Sequence, residues 1–385
     1  MGRQLGMDGI PHELWKKLVE QHDDDERQGR QSFDVIEVLT ALYNDIEEQG
    51  MTVGTNFSEG WMCPIYKKSD CTEIANYRPI TVLNTDYKIF TRALTTKLTT
   101  VAPGIIHKDQ AGFMKGRRID DQTELVKLMI DMCEVEETNG VIVCLDQEKA
   151  YNKIAHDFLF RSLAKFGLPE HFINTVRSLY GDAHTVVIIN GEISSPFQIT
   201  CGVRQGDPLS CLLFNVAIES LATMLRESNL EGLHIKGVVE RNIATLFADD
   251  TTVYLSENDK FSDLQDILQK WCCASKAKFN VQKTEIIPVG SCTYRAGVMA
   301  SRRLNGAHPT IPPQIHIAKD GEPVRVLGAC SREDGQGPKP LGKVPPNPRW
   351  KEADHWNGHW RLYPVPDKGT RHAQRGRGSL HKEDM

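Results

Sequence analysis

The sequence predicts a mixed α/β fold of the α+β kind, with helices around an antiparallel sheet that carries carboxylates. Three observations predict it. Val141-Ile142-Val143-Cys144-Leu145 is a continuous β-rich apolar run, the pattern of a central strand covered on both faces, and Asp146 follows it at once. Ile243 to Leu255 reads as a hairpin, two apolar segments with Asp249-Asp250 at or near the turn. Elsewhere, apolar residues recur at spacings of three and four, the period of an amphipathic helix.

Taken in order, residues 1–60 read as helical, with Phe33, Ile36, Leu39, Tyr43 and Ile46 on one face. Trp61-Met62-Cys63-Pro64-Ile65-Tyr66 is a short strand-like run. A helix is expected over about 85–101, burying Tyr87, Phe90, Leu94, Leu98 and Val101. Another is expected over about 121–134, burying Leu125, Leu128, Met129 and Met132. Residues 155–181 form a helical stretch broken by Gly167-Leu168-Pro169. Thr185 to Ile189, then Asn190-Gly191, then Glu192-Ile193 reads as a hairpin, because Asn-Gly suits a tight two-residue turn. Residues 209–227 and 261–275 complete the helices, the latter on Phe261, Leu264, Ile267, Leu268 and Trp271.

The composition, 40% hydrophobic and 25% charged, is ordinary for a globular protein. No apolar run approaches the ~18 residues needed to span a bilayer, so no membrane is expected as a partner. Met1-Gly2-Arg3-Gln4 opens no signal-peptide core, and position 6 is Gly where a myristoylation signal has Ser or Thr. The ten cysteines show no CxxC pair or zinc-like spacing, and read as free thiols of a reducing, intracellular compartment. Net charge is −5, but its distribution is uneven. Residues 1–60 hold 5 basic and 13 acidic side chains, whereas residues 61–121 hold 10 basic and 6 acidic. The second segment is a weak footprint for a polyanion. After about residue 330 the pattern changes: residues 331–385 contain no Ile and no Phe, too little apolar surface to offset the entropy of ordering, so disorder is expected.

Three motifs carry chemistry. In Leu246-Phe247-Ala248-Asp249-Asp250-Thr251-Thr252-Val253-Tyr254, two adjacent carboxylates lie between apolar strands. Their repulsion calls for an offsetting cation, and Mg²⁺ prefers carboxylate oxygens together with substrate phosphates. A plain solvent-exposed Asp-Asp turn is the competing reading, weakened by the apolar flanks. Asp146 ends a buried strand, where an unpaired charge is costly, though an aspartate there also suits a helix N-cap. Two such carboxylate strands about 100 residues apart could converge on one two-metal site. Gly202-Val203-Arg204-Gln205-Gly206-Asp207-Pro208-Leu209-Ser210 is a turn before a helix. Asp207 or Ser210 suits its cap and Arg204 with Gln205 offers donors to a nucleic acid, unless this is simply a polar loop.

The order D-x-x-x-x-Y, then G-V-R-Q-G-D-P-L-S, then F-A-D-D, resembles the reverse transcriptases of non-LTR (LINE-type) retrotransposons. Asp8-Gly9-Ile10-Pro11, Asn76-Tyr77-Arg78-Pro79-Ile80, Gln110-Ala111-Gly112-Phe113 through Gly116-Arg117, Lys278-Phe279-Asn280, Lys283-Thr284-Glu285 and Val326-Leu327-Gly328-Ala329 extend the resemblance over about residues 6–329. It implies a right-hand polymerase fold. Residues 1–60 would extend the fingers, 61–140 would form them, 141–290 the palm with an antiparallel sheet, and 291–330 a primer-grip region. It implies RNA-directed DNA synthesis from dNTPs, with an RNA template and a DNA primer as partners and two Mg²⁺ ions, or Mn²⁺, as cofactors. A nuclear location is the matching expectation.

Position by position, the resemblance makes Asp146, Asp249 and Asp250 the catalytic, metal-binding carboxylates. Tyr151 becomes the gate that clashes with a ribose 2′-OH, which favours DNA over RNA synthesis. Gln205 and Gly206 would touch template and incoming nucleotide, Arg78 and Arg117 would face the triphosphate or template backbone, and Lys283 would donate a proton to pyrophosphate. The sequence departs from the pattern in three ways. Asn152 stands where the family usually has a second Asp, and Lys276 where a helix-terminating Gly is common. The likeness also stops near Ala329, where a helical thumb should begin, so a missing or degenerate thumb and a non-homologous, out-of-frame tail are expected. From the short leader ahead of the entry motif, the family's N-terminal endonuclease is expected to be missing. The alternative function is an inactive retrotransposon remnant or a nucleic-acid-binding protein without catalysis.

Overall fold

The computed structural model describes residues 5–331 apart from 53, 68–69, 182, 235–240 and 327–328. The expected disordered tail and absent thumb concern residues beyond 331 and lie outside the described residues, as do Leu327 and Gly328 of the primer-grip motif.

The chain opens with α1 (His12–Arg27) and α2 (Val35–Gln49). Asp34 caps α2 by accepting from the Ile36 and Glu37 amides. Val35, Leu39, Tyr43 and Ile46 form the buried face, while Phe33 precedes the helix and stays exposed. Strands β1 (Gly60–Tyr66) and β2 (Tyr77–Leu83) pair antiparallel, followed by α3 (Thr85–Ile105). On α3, Tyr87, Phe90, Leu94 and Leu98 are buried as expected, but Val101 is exposed and Ala102 takes the core position. On α4 (Ile119–Val135) the expected face is rotated: Val126, Met129 and Cys133 are buried and Leu128 is exposed. The neighbouring sheet sets the orientation, and leucines on both flanks of α4 blur the signal.

Next comes β3 (Gly140–Leu145), then the short α5 (Ala150–Lys153), α6 (His156–Lys165) and α7 (Glu170–Gly181). The hairpin of β4 (His184–Ile189) and β5 (Glu192–Ile193) turns at Asn190 and Gly191, both with positive φ, as Asn-Gly predicts. After β6 (Phe197–Gln198), α8 (Ser210–Arg226) is buried nearly all round through Leu212, Leu213, Phe214, Val216, Ala217 and Ile218. The second hairpin, β7 (Ala244–Phe247) and β8 (Asp250–Ser256), is followed by α9 (Phe261–Ser275), β9 (Glu285–Val289), α10 (Cys292–Ser301), β10 (His316–Ile317), and the β11 (Val324–Val326) and β12 (Ala329–Ser331) pair.

One sheet has the order β2-β1-β4-β5, with β6 also on β4. The other has the order β10-β9-β3-β8-β7 and positions the site. Its β7, β8, β3 and β9 pair antiparallel, and β10 joins β9 in parallel. β3 is therefore central, and its Val141, Ile142, Val143 and Leu145 are buried. Burying each such aliphatic side chain contributes roughly 1.5–3 kcal/mol, which anchors the strand that ends at Asp146. Among the described residues, no helix is long and apolar enough to cross a membrane.

Candidate active site

The carboxylates meet at one edge of the central sheet. Leu145 pairs with Thr251, the last pairing of β3 with β8, and Asp146 comes next. In the adjacent hairpin Phe247 pairs with Asp250, so Ala248 and Asp249 form the two-residue turn and Asp250 opens β8. Ala248 adopts a left-handed φ of 57°, uncommon for a residue with a Cβ. Gln110 sustains it. Its Nε2 donates to the Ala248 carbonyl at 3.1 Å, and its Oε1 accepts from the Ala248 amide at 2.8 Å. Gly112 lies so close that a Cβ there would overlap the Ala248 amide.

Asp249 is half-buried and its carboxyl is held above the usual carboxylate range, chiefly by burial and further by Asp146 beside it. Lys67 and Arg78, from the β1–β2 sheet, act on it in the opposite direction. Asp146 meets Lys283, whose Nζ stands 3.5 Å from Oδ2. The Asp146 carbonyl accepts from the Asn280 amide at 2.7 Å, and Gln147 Nε2 donates to the Asp249 carbonyl at 3.3 Å. The Lys278-Phe279-Asn280 segment thus ties one aspartate in place, and Gln147 links it to the other.

Tyr151, on α5, stacks on Phe214 with ring centroids 4.7 Å apart and meets Phe113 edge-on at 6.5 Å. Its hydroxyl is driven far above the ordinary phenol value by burial, then by Cys211 and Asp249, so it stays protonated. The loop before α8 is fastened to this segment: the Gly202 amide donates to Ile154 O at 2.7 Å and the Val203 amide to Tyr151 O at 2.6 Å. Gln205 Nε2 donates to Asn152 Oδ1 at 3.1 Å. Gly206 adopts φ 121°, and a Cβ there would overlap the Thr81 carbonyl of β2. The buried Asp207 accepts from the Leu209 amide at 3.1 Å, before the first turn of α8, whereas Ser210 bonds Tyr180 Oη at 3.3 Å and caps nothing.

Two expectations are corrected. Arg204 is buried beneath the loop, donating to the carbonyls of Ser58 and His184 with its guanidinium over the Tyr87 ring, and so offers nothing to a nucleic acid. Arg117 donates to the carbonyls of Ile106, His107 and Gln110, so it braces the turn that presents Gln110 instead of facing a phosphate. Arg78 is exposed and acts on Asp249. In the sequence Gln110 stands out only as the first residue of a motif. Its role shows solely in three dimensions, since its partner lies 138 residues away.

Among the described residues, no three His, Cys, Asp or Glu side chains gather as a group that could hold a metal ion. The donors present nevertheless fit Mg²⁺. They are oxygens only, they repel one another, and Mg²⁺ commonly takes one or two carboxylates and completes its shell with water and substrate phosphates. Asp146 and Asp249 would hold it, with Asp250 exposed at the start of β8 next in the chain.

An antiparallel sheet presenting two carboxylate segments at one end, with a glycine-bearing loop fastened to the segment that follows Asp146, is the frame of a polymerase catalytic domain. The chain belongs to the reverse transcriptase (RNA-dependent DNA polymerase) family, whose description matches residues 65–328. Within it, this is a reverse transcriptase domain related to the polymerases of non-LTR retrotransposons. It is 32% identical over 225 residues to the transposon TX1 uncharacterized 149 kDa protein of Xenopus laevis, covering 58% of this chain and 17% of that protein. It is 28% identical over 191 residues to the Pol polyprotein of the type-1 retrotransposable element R2 of Popillia japonica, covering 49% and 29%. With the RNA-directed DNA polymerase of the mobile element jockey of Drosophila melanogaster it shares 23% identity over 291 residues, covering 71% and 30%. The matched stretch is thus under a third of the length of each relative. Telomerase from Candida Tropicalis, solved with a fragment of telomeric RNA, aligns with 80% of this chain and 50% of its own at 14% identity and a TM-score of 0.48. The family implies metal-dependent catalysis and nucleic-acid binding.

Proposed function

We propose that this chain copies RNA into DNA, joining a dNTP to a primer 3′-OH at the edge where Asp146 and Asp249 meet. The observation that carries the reading is that juxtaposition: Asp146 follows the last pairing of β3 with β8 and Asp249 sits in the β7–β8 turn, its carboxyl raised by burial and then by Asp146 while Lys67 and Arg78 pull it down. Such a balance of opposed charges suits a site that gathers cations and polyphosphate. Residues 141–290 would be the palm, 1–140 the fingers and their extension, and 291–330 the primer-grip region.

When bound by Asp146 and Asp249, Mg²⁺ would acidify the primer hydroxyl and offset charge on the phosphates. The chain's own residues do the rest. Arg78 and Lys67 stand where a triphosphate would approach. Gln205, oriented by Asn152, and Gly206, drawn against β2, would form the surface on which template and nucleotide rest. Tyr151, immobilised between Phe214 and Phe113, would exclude a ribose 2′-OH. Lys283, already beside Asp146, would protonate the departing pyrophosphate.

The test is extension of a DNA primer on an RNA template with Mg²⁺, supplying dNTPs or rNTPs to the wild type and to Tyr151→Ala. The reading expects dNTP incorporation abolished by EDTA, and measurable rNTP incorporation only in the variant. Equal use of rNTPs by the wild type would reject the gate, and extension unaffected by EDTA would reject the site.

A further inference from the structure

Asn215 is fully buried in the middle of α8, between Phe214 and Val216. Asparagine is costly there: it is a poorer helix former than the leucines around it, and burying its amide forfeits hydration. Only half of the amide is compensated. Nδ2 donates to the Gly112 carbonyl at 2.6 Å, whereas Oδ1 meets no donor among the described residues. A leucine of similar shape would bury no orphaned oxygen of its own, so packing alone does not call for asparagine.

The partner makes the position informative. Gly112 lies against the turn that carries Asp249, since a Cβ on it would overlap the Ala248 amide. The Gly112 and Ala248 amides both donate to Gln110 Oε1, each at 2.8 Å. The Gly112 carbonyl leads into Phe113, which has a left-handed φ of 57° and meets Tyr151 edge-on. A residue with a Cβ persists in that region only where its surroundings hold it. Phe214, the residue before Asn215, stacks on Tyr151. One helical position thus connects the turn of Asp249 with both rings that confine Tyr151.

We propose that Asn215 is a positioning residue: by fixing the Gly112 carbonyl it holds the Ala248–Asp249 turn and Phe113 together, so that the carboxylate edge and the sugar gate are set by one hydrogen bond. Buried as it is, Asn215 acts only through these neighbours. The effect on catalysis rests on the function proposed above, whereas the link between α8 and the turn does not.

The test compares the full chain with Asn215→Leu, which keeps the bulk and deletes the donor. Ser220→Ala is the reference for general loosening of α8, because Ser220 Oγ accepts from Trp271 Nε1 at 3.0 Å, away from Gly112. Amide hydrogen exchange is followed in EDTA, without nucleotide. In Asn215→Leu the Gly112 and Ala248 amides should exchange at least about tenfold faster relative to those of β3, and in Ser220→Ala that ratio should stay at its wild-type value. In primer extension, the preference for dNTPs over rNTPs should fall at least about tenfold in Asn215→Leu and hold in Ser220→Ala. Both ratios are taken within one protein, so a smaller folded fraction does not move them. If Asn215→Leu does not fold, Asn215→Ala, with no bulk to accommodate, is read in the same way. A wild type that extends nothing defeats the function proposed above and leaves exchange to decide the link. Wild-type exchange at both amides, wild-type sugar preference in an extending variant, or the same changes in Ser220→Ala would each overturn the proposal.

Discussion

Gln205 Nε2 donates a 3.1 Å hydrogen bond to Asn152 Oδ1, joining the loop before α8 to the segment that carries Tyr151. The departure from the family pattern at position 152 therefore preserves what the position does here, because asparagine and aspartate both present an acceptor. Asn152→Asp should keep primer extension within about threefold of wild type, whereas Asn152→Ala should cost about 0.5–1.5 kcal/mol in urea denaturation and slow extension. If Asn152→Asp abolished extension in a folded protein, the bond would not be the reason the position matters.

Gln110 should matter more than its place in the sequence suggests. Gln110→Ala would leave both backbone groups of Ala248 without partners in a buried turn, destabilising the fold by about 2–4 kcal/mol. Asp249 would lose its fixed position, so the extension rate should fall at least about tenfold beyond any loss of folded protein. A denaturation midpoint unchanged by the substitution would contradict the clamp.

At Gly206 the requirement is steric and conformational together. With φ at 121° and the Thr81 carbonyl where a Cβ would sit, Gly206→Ala should cost roughly 2–4 kcal/mol. Wild-type stability in the variant would show that the loop has room to move away from β2.

His156 sets a pH dependence. Its Nε2 donates to the Gly202 carbonyl at 3.0 Å, which raises its pKa, but burial and then Arg204 hold it below the ordinary imidazole value of 6.5. The other neighbours, Tyr180 and Phe160, are neutral rings. With the folded value depressed, the contribution to stability is present above the unfolded value and is lost as pH falls through the folded one. Unfolding free energy followed from about pH 7.5 to 5 should therefore decline more steeply in wild type than in His156→Gln. Parallel profiles would mean that another group carries the loss.

What the sequence revealed was local. The apolar run of β3, the Asn190-Gly191 turn and the helix α8 follow from patterns a few residues long, and the structure has them where expected. The two aspartate segments were legible because each is a charge against an apolar strand. The errors involve partners that local patterning does not encode. Arg204 looked like a nucleic-acid contact until its carbonyl partner, Ser58, was seen 146 residues away. Arg117 binds the backbone of its own turn, a path that motif spacing does not encode. The buried face of α4 depends on which side the sheet approaches. Lys276 stands where a helix-terminating Gly is common, and it does end α9 in the left-handed region.

The most direct test of the central claim compares wild type with Asp249→Asn in extending a DNA primer on an RNA template with Mg²⁺ and dNTPs, at high primer–template concentration. The substitution keeps the shape of the turn and removes one carboxylate charge. Extension by wild type that falls at least about a hundredfold in the variant is the result predicted here. Equal extension by both, or none from folded wild type, would contradict the assignment of catalysis to the Asp146–Asp249 edge.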